Sequence, residues 1–439
     1  MSKLIENIIN EKIEKIKTQN NVYDVGRVLK VKNFILEVSG LENVSFYEKV
    51  LIVNKGEGYV DSIGKNSVKV ALIKQYAPIF VGDEVIGTGK EFCVMFSENY
   101  VGCVVDMFGN EKLSDKKFDD AVELKMEPKP IAIMDRTNVS RPMLTGISGI
   151  DMIYPIGKGQ RQLIIGDKKT GKTQIALDTI VNQRDKNVLC IYCAIGKTKK
   201  EVKEVYSELY KRGAMEHTII ISAFQDDCQP LVKCLPFAAL SIAENYMFKG
   251  KDALVIIDDL KRHANVCREI SLLSGKVPGR DAYPPDIFYT HARLLERGCQ
   301  HKNGGSITIL PIVETKSGDI TDYICTNIIS ITDGQIVLSA KNFDSGLKPA
   351  IHYGLSVSRL GGAVQTKEIK QIGSIVRREL LSYLETKEVF ELANIDEMGA
   401  ELKEKIRRGK SILLNLNQYK FESRSPEEMV SLFEKAVKA

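Results

Sequence analysis

The chain has 439 residues, of which 27% are charged and 44% hydrophobic, and a formal net charge of +5. This length predicts two or three domains, and so small a net charge gives no reason to expect a nucleic-acid partner. No apolar run reaches the roughly 18–20 residues of a membrane span, so we expect no direct membrane insertion. The first residues carry glutamates and lack the apolar core of a signal peptide, which predicts a cytoplasmic protein.

The N-terminal part is predicted to combine one helix with a barrel. Apolar residues recur at helical spacing over residues 1–22, with lysines and glutamates between them, which predicts an amphipathic helix. This helix either packs on its own domain or binds a partner protein. Residues 23–90 contain short β-rich runs separated by turn signals, a pattern typical of a small β-barrel. The runs are Val25–Val31, Phe34–Val38, Lys49–Val53 and Ser67–Leu72.

The pattern changes twice further along the chain. Apolar strands alternate with helical stretches over residues 91–364, which predicts an α/β domain with a mostly parallel sheet. Residues 365–439 lose the β-rich runs and are predicted to be helical. The predicted fold is therefore multi-domain, with an N-terminal β-barrel, a central α/β domain and a short C-terminal α-helical domain.

The most informative motif is the segment 166–173, GDKKTGKT, which fits the phosphate-loop pattern G-x-x-x-x-G-K-[ST] at every fixed position. It follows a predicted buried strand over 162–165 and opens into a predicted helix over 174–180. Backbone N–H groups of such a loop bind phosphates, Lys172 would reach the β- and γ-phosphates, and Thr173 would ligate Mg²⁺. The predicted nucleotide-binding residues here are Gly166, Asp167, Lys168, Lys169, Thr170, Gly171, Lys172, Thr173 and Gln174.

A second part of this site is predicted at the end of the apolar run 253–258. Asp258 closes that run, and we expect its strand to lie beside the phosphate-loop strand. Its carboxylate would then hold Mg²⁺, through water, together with Thr173. Asp259 is the alternative for the same role. The expected ligand is therefore ATP or ADP with Mg²⁺.

The run 189–197 indicates what this site lacks. Hydrolysis of a γ-phosphate needs a group that orients or deprotonates the attacking water, and motors of this class place a glutamate at the end of such a strand. Lys197 stands there instead, and a charged ammonium has no acceptor for the proton of the water. The alternative is that Lys197 is an ordinary loop lysine and that Glu201 serves as the base.

The cysteines and histidines give no sign of a further site. Cys190 and Cys193 form a C-x-x-C sequence, but we place both in one strand, where residues three apart face opposite sides of the sheet. The five histidines show no metal-ligand spacing. We therefore predict no metal site built by the protein alone.

Four stretches of the sequence together resemble a known family. They are 144–147 with 155–161, 166–173 with 182–183, 278–284 with 291–297, and 354–362. The family is the α subunit of F-type ATP synthases, and the resemblance runs from about residue 21 to residue 408. It identifies the central domain as a P-loop NTPase of the RecA-like type.

The resemblance implies an alternating hexamer of α-type and β-type subunits around a central γ-type stalk. In this family catalysis lies mainly on β, whereas α binds MgATP and hydrolyses it little or not at all. The chain would act in ATP hydrolysis or synthesis as part of a complex, peripheral at the cytoplasmic face of the membrane. A peripheral stalk is a candidate partner of the N-terminal helix. The family normally has Gln at position 197, so Lys197 is a departure that preserves the absence of a base.

Arg359 matches the α residue that reaches into the neighbouring β site, so the resemblance implies an arginine finger acting in trans. A guanidinium stabilises the charge that spreads over the transferring phosphoryl oxygens. The alternative is that Arg359 pairs with a local carboxylate. The loop Pro278–Asp286 resembles the segment that faces the stalk, with Pro285 where the family often has Gly.

The resemblance also implies contacts with adenine. Phe343 and Pro349 match residues that flank the base, and Lys348 stands where the family usually has Arg. Gln418 belongs to a further base-contacting segment that a short deletion shifts.

The C-terminal region departs most from the family. After Pro426 the family usually continues through several more helices that meet the stalk, whereas this sequence ends at Ala439. The helical domain is therefore interpreted as truncated. Shortened, divergent relatives occur in wall-less bacteria (mollicutes), so an F-type-like ATPase that drives motility or export instead of proton transport is an alternative.

Two further functions stay open. A self-sufficient homohexameric motor, like the transcription terminator Rho or a flagellar-type export ATPase, would need a glutamate acting from near Lys197. A purely structural subunit with a vestigial site would not need Lys172, Thr173 and Asp258 to be intact.

Overall fold

The computed structural model describes residues 24–389 and 400–438. The helix predicted over residues 1–22 lies outside the described residues. Within the described ranges, no helix is both long and apolar enough to cross a bilayer. The architecture predicted for the rest of the chain is confirmed: a closed barrel, a central sheet with helices, and a helical C-terminal region.

Six antiparallel strands close the N-terminal barrel in the order β1-β2-β5-β4-β3-β6. The four predicted runs correspond to β1, β2, β3 and β5, and the structure adds β4 and β6. Glycines interrupt the apolar alternation of both added strands, which is why the sequence pattern concealed them. The strands are β1 Val25–Lys32, β2 Ile35–Ser39, β3 Glu48–Ile52, β4 Gly56–Ile63, β5 Val68–Gln75 and β6 Glu84–Glu91.

The central domain is built on a 10-stranded sheet whose main order is β18-β17-β11-β16-β14-β12-β13-β8. The pairs from β17 to β8 are all parallel, and β18 joins the edge antiparallel to β17. Two further strands, β7 and β9, form a small separate sheet. The strands are β7 Cys93–Phe96, β8 Val104–Val105, β9 Val122–Lys125, β10 Arg136–Thr137, β11 Leu163–Asp167, β12 Val188–Lys197, β13 Thr218–Phe224, β14 Asp252–Asp258, β15 Cys299–His301, β16 Ser306–Thr315, β17 Gly334–Leu338 and β18 Val357–Ser358.

Both faces of the sheet are buried, as expected for parallel strands covered by helices. Cys190 and Cys193 confirm the predicted alternation, because they belong to two separate buried clusters. The helices are α1 Ser148–Asp151, α2 Lys172–Val181, α3 Lys199–Tyr210, α4 Gln229–Phe248, α5 Leu260–Leu273, α6 Ile287–Leu295, α7 Tyr323–Ile331, α8 Ala340–Asp344, α9 Lys367–Val389, α10 Ala400–Asn415 and α11 Pro426–Lys438.

Candidate nucleotide-binding site

The predicted phosphate loop lies between the carboxyl end of β11 and the first turn of α2. Both of its glycines are required by the backbone. Gly171 precedes the helix with φ 100°, a left-handed conformation that disfavours other residues. A Cβ atom on Gly166 would lie 2.7 Å from the carbonyl oxygen of Leu338. The loop therefore has the strand-loop-helix geometry that the motif requires.

Lys172 is buried and turned back onto its own loop. Its Nζ donates to the carbonyl oxygen of Asp167 at 2.6 Å, and the Thr170 hydroxyl donates to the same oxygen at 2.8 Å. Burial lowers the pKa of Lys172, and nearby carboxylates, led by Glu314, oppose that shift. Lys168 and Lys169 are exposed at the tip of the loop. The loop thus presents one buried and two solvent-facing ammonium groups.

Asp258 reaches the phosphate loop, although not by the predicted strand order. The apolar pattern predicted β14 beside β11, but β16 lies between them. That expectation was wrong because apolar runs alone do not fix the order of parallel strands. The contact forms nevertheless, since the Thr173 hydroxyl donates to Asp258 Oδ2 at 3.0 Å.

Two residues of β12 also converge on this carboxylate. The hydroxyl of Tyr192 donates to Asp258 Oδ2 at 2.6 Å, and Lys197 Nζ lies 3.0 Å from the same oxygen. Burial and the neighbouring carboxylate raise the pKa of Tyr192 well above its usual value, so its proton stays on the phenol. Tyr192 was not predicted from the sequence, because a tyrosine inside an apolar strand is indistinguishable from a core residue.

The interposed strand β16 supplies two residues that were also missed. Glu314 pairs in register with Gly166, next to the phosphate loop, and Thr315 donates its hydroxyl to Asp167 Oδ1 at 2.6 Å. The available signal was the same one that identified Asp258, namely polar residues closing a long apolar run. Glu314 is a half-buried carboxylate close enough to Lys172 to affect its pKa.

The two alternative carboxylates of the sequence analysis both cap helices. Glu201 accepts from the Thr198 backbone N–H at 2.8 Å and completes the capping box of α3. These hydrogen bonds lower its pKa, which makes Glu201 a weaker base. Asp259 accepts from the Arg262 backbone N–H at 2.6 Å at the start of α5. Burial, reinforced by Asp258, raises the pKa of Asp259 to about 6.

The side chains predicted to hold Mg²⁺ are of the right chemical kind. Mg²⁺ prefers carboxylate and hydroxyl oxygens and takes its remaining ligands from water and substrate phosphates. Thr173 and Asp258 bring one of each together at the phosphate loop. Within the described ranges, no group of three or more His, Cys, Asp or Glu residues is arranged to hold a metal ion. The pair therefore suits a divalent ion that arrives with a nucleotide.

The predicted adenine contacts lie on two segments joined by hydrogen bonds. Lys348 Nζ lies 5.7 Å from the centre of the Phe343 ring, and the Lys348 carbonyl accepts from the Gln418 N–H at 2.6 Å. The amide of Gln418 is buried and bonded to the backbone of Ser148 and Gly146, at 2.6 and 3.0 Å. These bonds hold the Gln418 amide against the backbone of its own chain. Pro349, the fourth predicted contact, follows Lys348.

Arg359 lies at the opposite edge of the sheet. It follows β18, and its N–H donates to the carbonyl of Asp333, just before the amino end of β17. The phosphate loop lies at the carboxyl ends, about five residues or roughly 16 Å further along the strands. Arg161 engages both oxygens of the Asp333 carboxylate, at 2.9 and 2.7 Å. Over the described part of the chain, no carboxylate lies within ion-pair distance of the exposed Arg359 guanidinium.

The loop Pro278–Asp286 is mostly exposed and sharply turned. Asp281 and Ala282 adopt positive φ angles of 52° and 61°. Arg280 lies over the Tyr323 ring at 5.3 Å, and its guanidinium is largely solvent-exposed. The contact predicted between this loop and a stalk stays a prediction.

A phosphate loop at the carboxyl edge of a parallel sheet, between a barrel and a helical region, defines a nucleotide-binding protein. Residues 146–358 match the ATP synthase alpha/beta family, nucleotide-binding domain. The chain is 41% identical over 421 residues to "ATP synthase subunit alpha" of Macrococcus caseolyticus (strain JCSC5402), covering 94% of this chain and 82% of that protein. It is also 41% identical over 418 residues to "ATP synthase subunit alpha" of Staphylococcus aureus (strain bovine RF122 / ET3-1), covering 94% and 83%.

The chain therefore belongs to the ATP synthase alpha/beta family, and its predicted resemblance to α subunits is confirmed.

Proposed function

We propose that this chain is the nucleotide-binding, non-hydrolytic α-type subunit of a rotary ATPase, alternating with β-type subunits in a hexamer. It binds ATP or ADP through residues 166–174, with Mg²⁺ at Thr173 and Asp258. It supplies Arg359 to the site of the neighbouring β-type subunit. The names of the relatives, ATP synthase subunit alpha, support the subunit type.

The observation that carries the proposal is the separation of Arg359 from the phosphate loop of its own chain. The guanidinium is exposed at the amino edge of the strands, whereas the loop lies at the carboxyl edge. Asp333, whose backbone carbonyl accepts from the Arg359 N–H, has its carboxylate already paired with Arg161. A long cationic side chain held at one edge without a carboxylate partner suits a phosphate group on another subunit.

The missing base supports the non-hydrolytic part of the proposal. Lys197 ends the strand from which a base would act, and its ammonium is paired with Asp258. Glu201 is committed to capping α3. The phosphate loop therefore has groups for binding, while neither of these positions supplies a free acceptor for the proton of a water molecule.

The loop Pro278–Asp286 is the proposed contact with a γ-type stalk, and the complex is proposed to lie at the cytoplasmic face of the membrane. The composition of the native complex would identify the task that the motor drives, whether proton transport, motility or export.

The test is to assay ATP hydrolysis by the purified chain alone and together with its β-type partner. We expect negligible turnover alone and full turnover in the complex. Substantial turnover by the chain alone, with ring formation in the absence of a partner, would instead support the self-sufficient homohexamer. In that case Glu314 is the carboxylate to replace by Gln, because it is half-buried beside the phosphate loop and caps no helix.

A further inference from the structure

One carboxylate oxygen of this site has three close partners. Asp258 Oδ2 accepts from the Thr173 hydroxyl at 3.0 Å and from the Tyr192 hydroxyl at 2.6 Å. Lys197 Nζ lies 3.0 Å from the same atom. The Asp258 side chain is only 3% exposed and that of Lys197 is 18% exposed. The carboxylate that was expected to serve a divalent ion therefore already has a cation of its own chain beside it.

The positive charge of Lys197 distinguishes this site from one with a neutral side chain at the same position. A side chain of the family's usual kind, Gln, would offer Asp258 a neutral hydrogen bond, whereas Lys197 brings a full positive charge into a poorly solvated site. Charges in such surroundings interact more strongly than on the surface. The ammonium also carries three donors, so it can bond to Asp258 and still donate to a phosphate.

The position of the ammonium suits that second contact. Thr173 shares the Asp258 oxygen with Lys197, and Thr173 lies in the first turn of α2, where the helix N-terminus favours phosphate oxygens. A triphosphate bound at this loop would therefore lie close to Lys172 of the loop and to Lys197 beside Asp258.

We propose that Lys197 is a built-in cation of the site, which donates to the nucleotide phosphates and makes ATP binding largely independent of Mg²⁺. The inference rests on the proposed function, because it requires that the chain binds ATP at this loop. It adds a residue that determines which form of the nucleotide, metal-bound or metal-free, the site accepts.

The experiment measures ATP binding to the full chain by isothermal titration calorimetry, once with excess Mg²⁺ and once with EDTA. For the natural chain we expect the two dissociation constants to agree within about threefold. For Lys197→Gln we expect binding in EDTA to be weaker than in Mg²⁺ by at least about tenfold, the range of one lost charge-assisted hydrogen bond. Lys197→Arg retains the charge and should behave like the natural chain.

Two controls keep the result interpretable. Lys200→Gln removes a charge from a side chain that is 86% exposed, outside the site, and should leave both constants unchanged. Lys197→Met removes the charge with a side chain of similar length and should repeat the result of Lys197→Gln if that variant folds poorly, as judged by thermal unfolding.

The possible failures are distinguishable. If the natural chain loses binding in EDTA by the same factor as Lys197→Gln, the inference is overturned while the proposed function stands. If the natural chain binds ATP in neither buffer, both are overturned.

Discussion

The two edges of the central sheet differ in how their charges are satisfied. At the carboxyl edge, Lys172 and Lys197 are largely buried and bonded to groups of the same chain, Lys172 to the Asp167 carbonyl and Lys197 to the Asp258 carboxylate. At the amino edge, Arg359 is exposed and its neighbour Asp333 is occupied by Arg161. The cations of the first edge are therefore bonded within the chain, whereas the guanidinium of Arg359 at the second edge faces solvent.

This difference is the basis of our proposal that one chain takes part in two nucleotide sites. A ligand at the phosphate loop meets preorganised donors of this chain, which favours binding. A phosphate of another subunit at Arg359 meets a guanidinium that has no competing carboxylate within the described residues. Substitutions at each edge should therefore affect different measurements.

The largest effect is expected at the amino edge. Arg359→Ala removes the guanidinium that we propose stabilises charge in the neighbouring site, so turnover of the complex should fall by roughly 10³-fold or more. ATP binding by the isolated chain should not change. A matched control is Arg378→Ala, which removes another exposed arginine whose guanidinium is paired with Glu379. Steady-state ATPase assays of the two complexes test this, and equal turnover would contradict the proposal.

At the carboxyl edge, Lys172→Ala should weaken ATP binding by the isolated chain by roughly 10–100-fold. The reason is the loss of a charge-assisted bond to phosphate in a buried site. Calorimetric titration with ATP gives the constant, and Lys200→Ala, on an exposed helix surface, is the control. Unchanged affinity of Lys172→Ala would place the nucleotide elsewhere.

Replacement of Gln418 distinguishes a structural role of this side chain from a role in binding adenine. Its amide oxygen accepts from the Ser148 N–H, so Gln418→Ala would remove the partner of that buried donor, while the Gly146 carbonyl keeps its bond from the Arg424 N–H. We expect the free energy of unfolding to fall by about 1–3 kcal/mol. Chemical denaturation measures this, with the exposed amide variant Gln75→Ala as the control. A normal stability with lost preference for adenine over other bases would instead support the predicted base contact.

The last prediction concerns the pH dependence of stability. The pKa of Asp259 is about 6 in the folded chain, above the roughly 4 of an unfolded carboxyl. Between these values the folded state binds more protons than the unfolded state, so the natural chain loses stability as pH rises from 4 to 6. Asp259→Asn keeps an acceptor for the Arg262 N–H and removes this loss. The stability of the variant relative to the natural chain should rise across that window and level off above it.

The sequence was a good guide where periodicity and motif coincide. The phosphate loop, the strand of Asp258, the barrel and the helical C-terminal region all had local signals, because strand alternation and the glycines of the loop follow from backbone geometry. Lys197 was correctly predicted to end its strand, whereas its ion pair with Asp258 was not predicted.

The rest depended on contacts between distant residues. The insertion of β16 between β11 and β14 is a matter of strand order. The sequence shows that Glu314 and Thr315 close an apolar run, but it does not show that this strand lies next to the phosphate loop. Strands β4 and β6 were concealed by their glycines. The burial of the Gln418 amide likewise depends on Ser148, some 270 residues away along the chain.

The most direct measurement compares two complexes reconstituted with the same β-type partner, one carrying Lys172→Ala in this chain and the other carrying Arg359→Ala. The initial rate of ATP hydrolysis should stay near that of the natural complex in the first and fall by roughly 10³-fold in the second. If Lys172→Ala abolishes hydrolysis and Arg359→Ala leaves the rate unchanged, the result contradicts the proposal that Lys172 serves nucleotide binding and Arg359 serves catalysis in the neighbouring subunit.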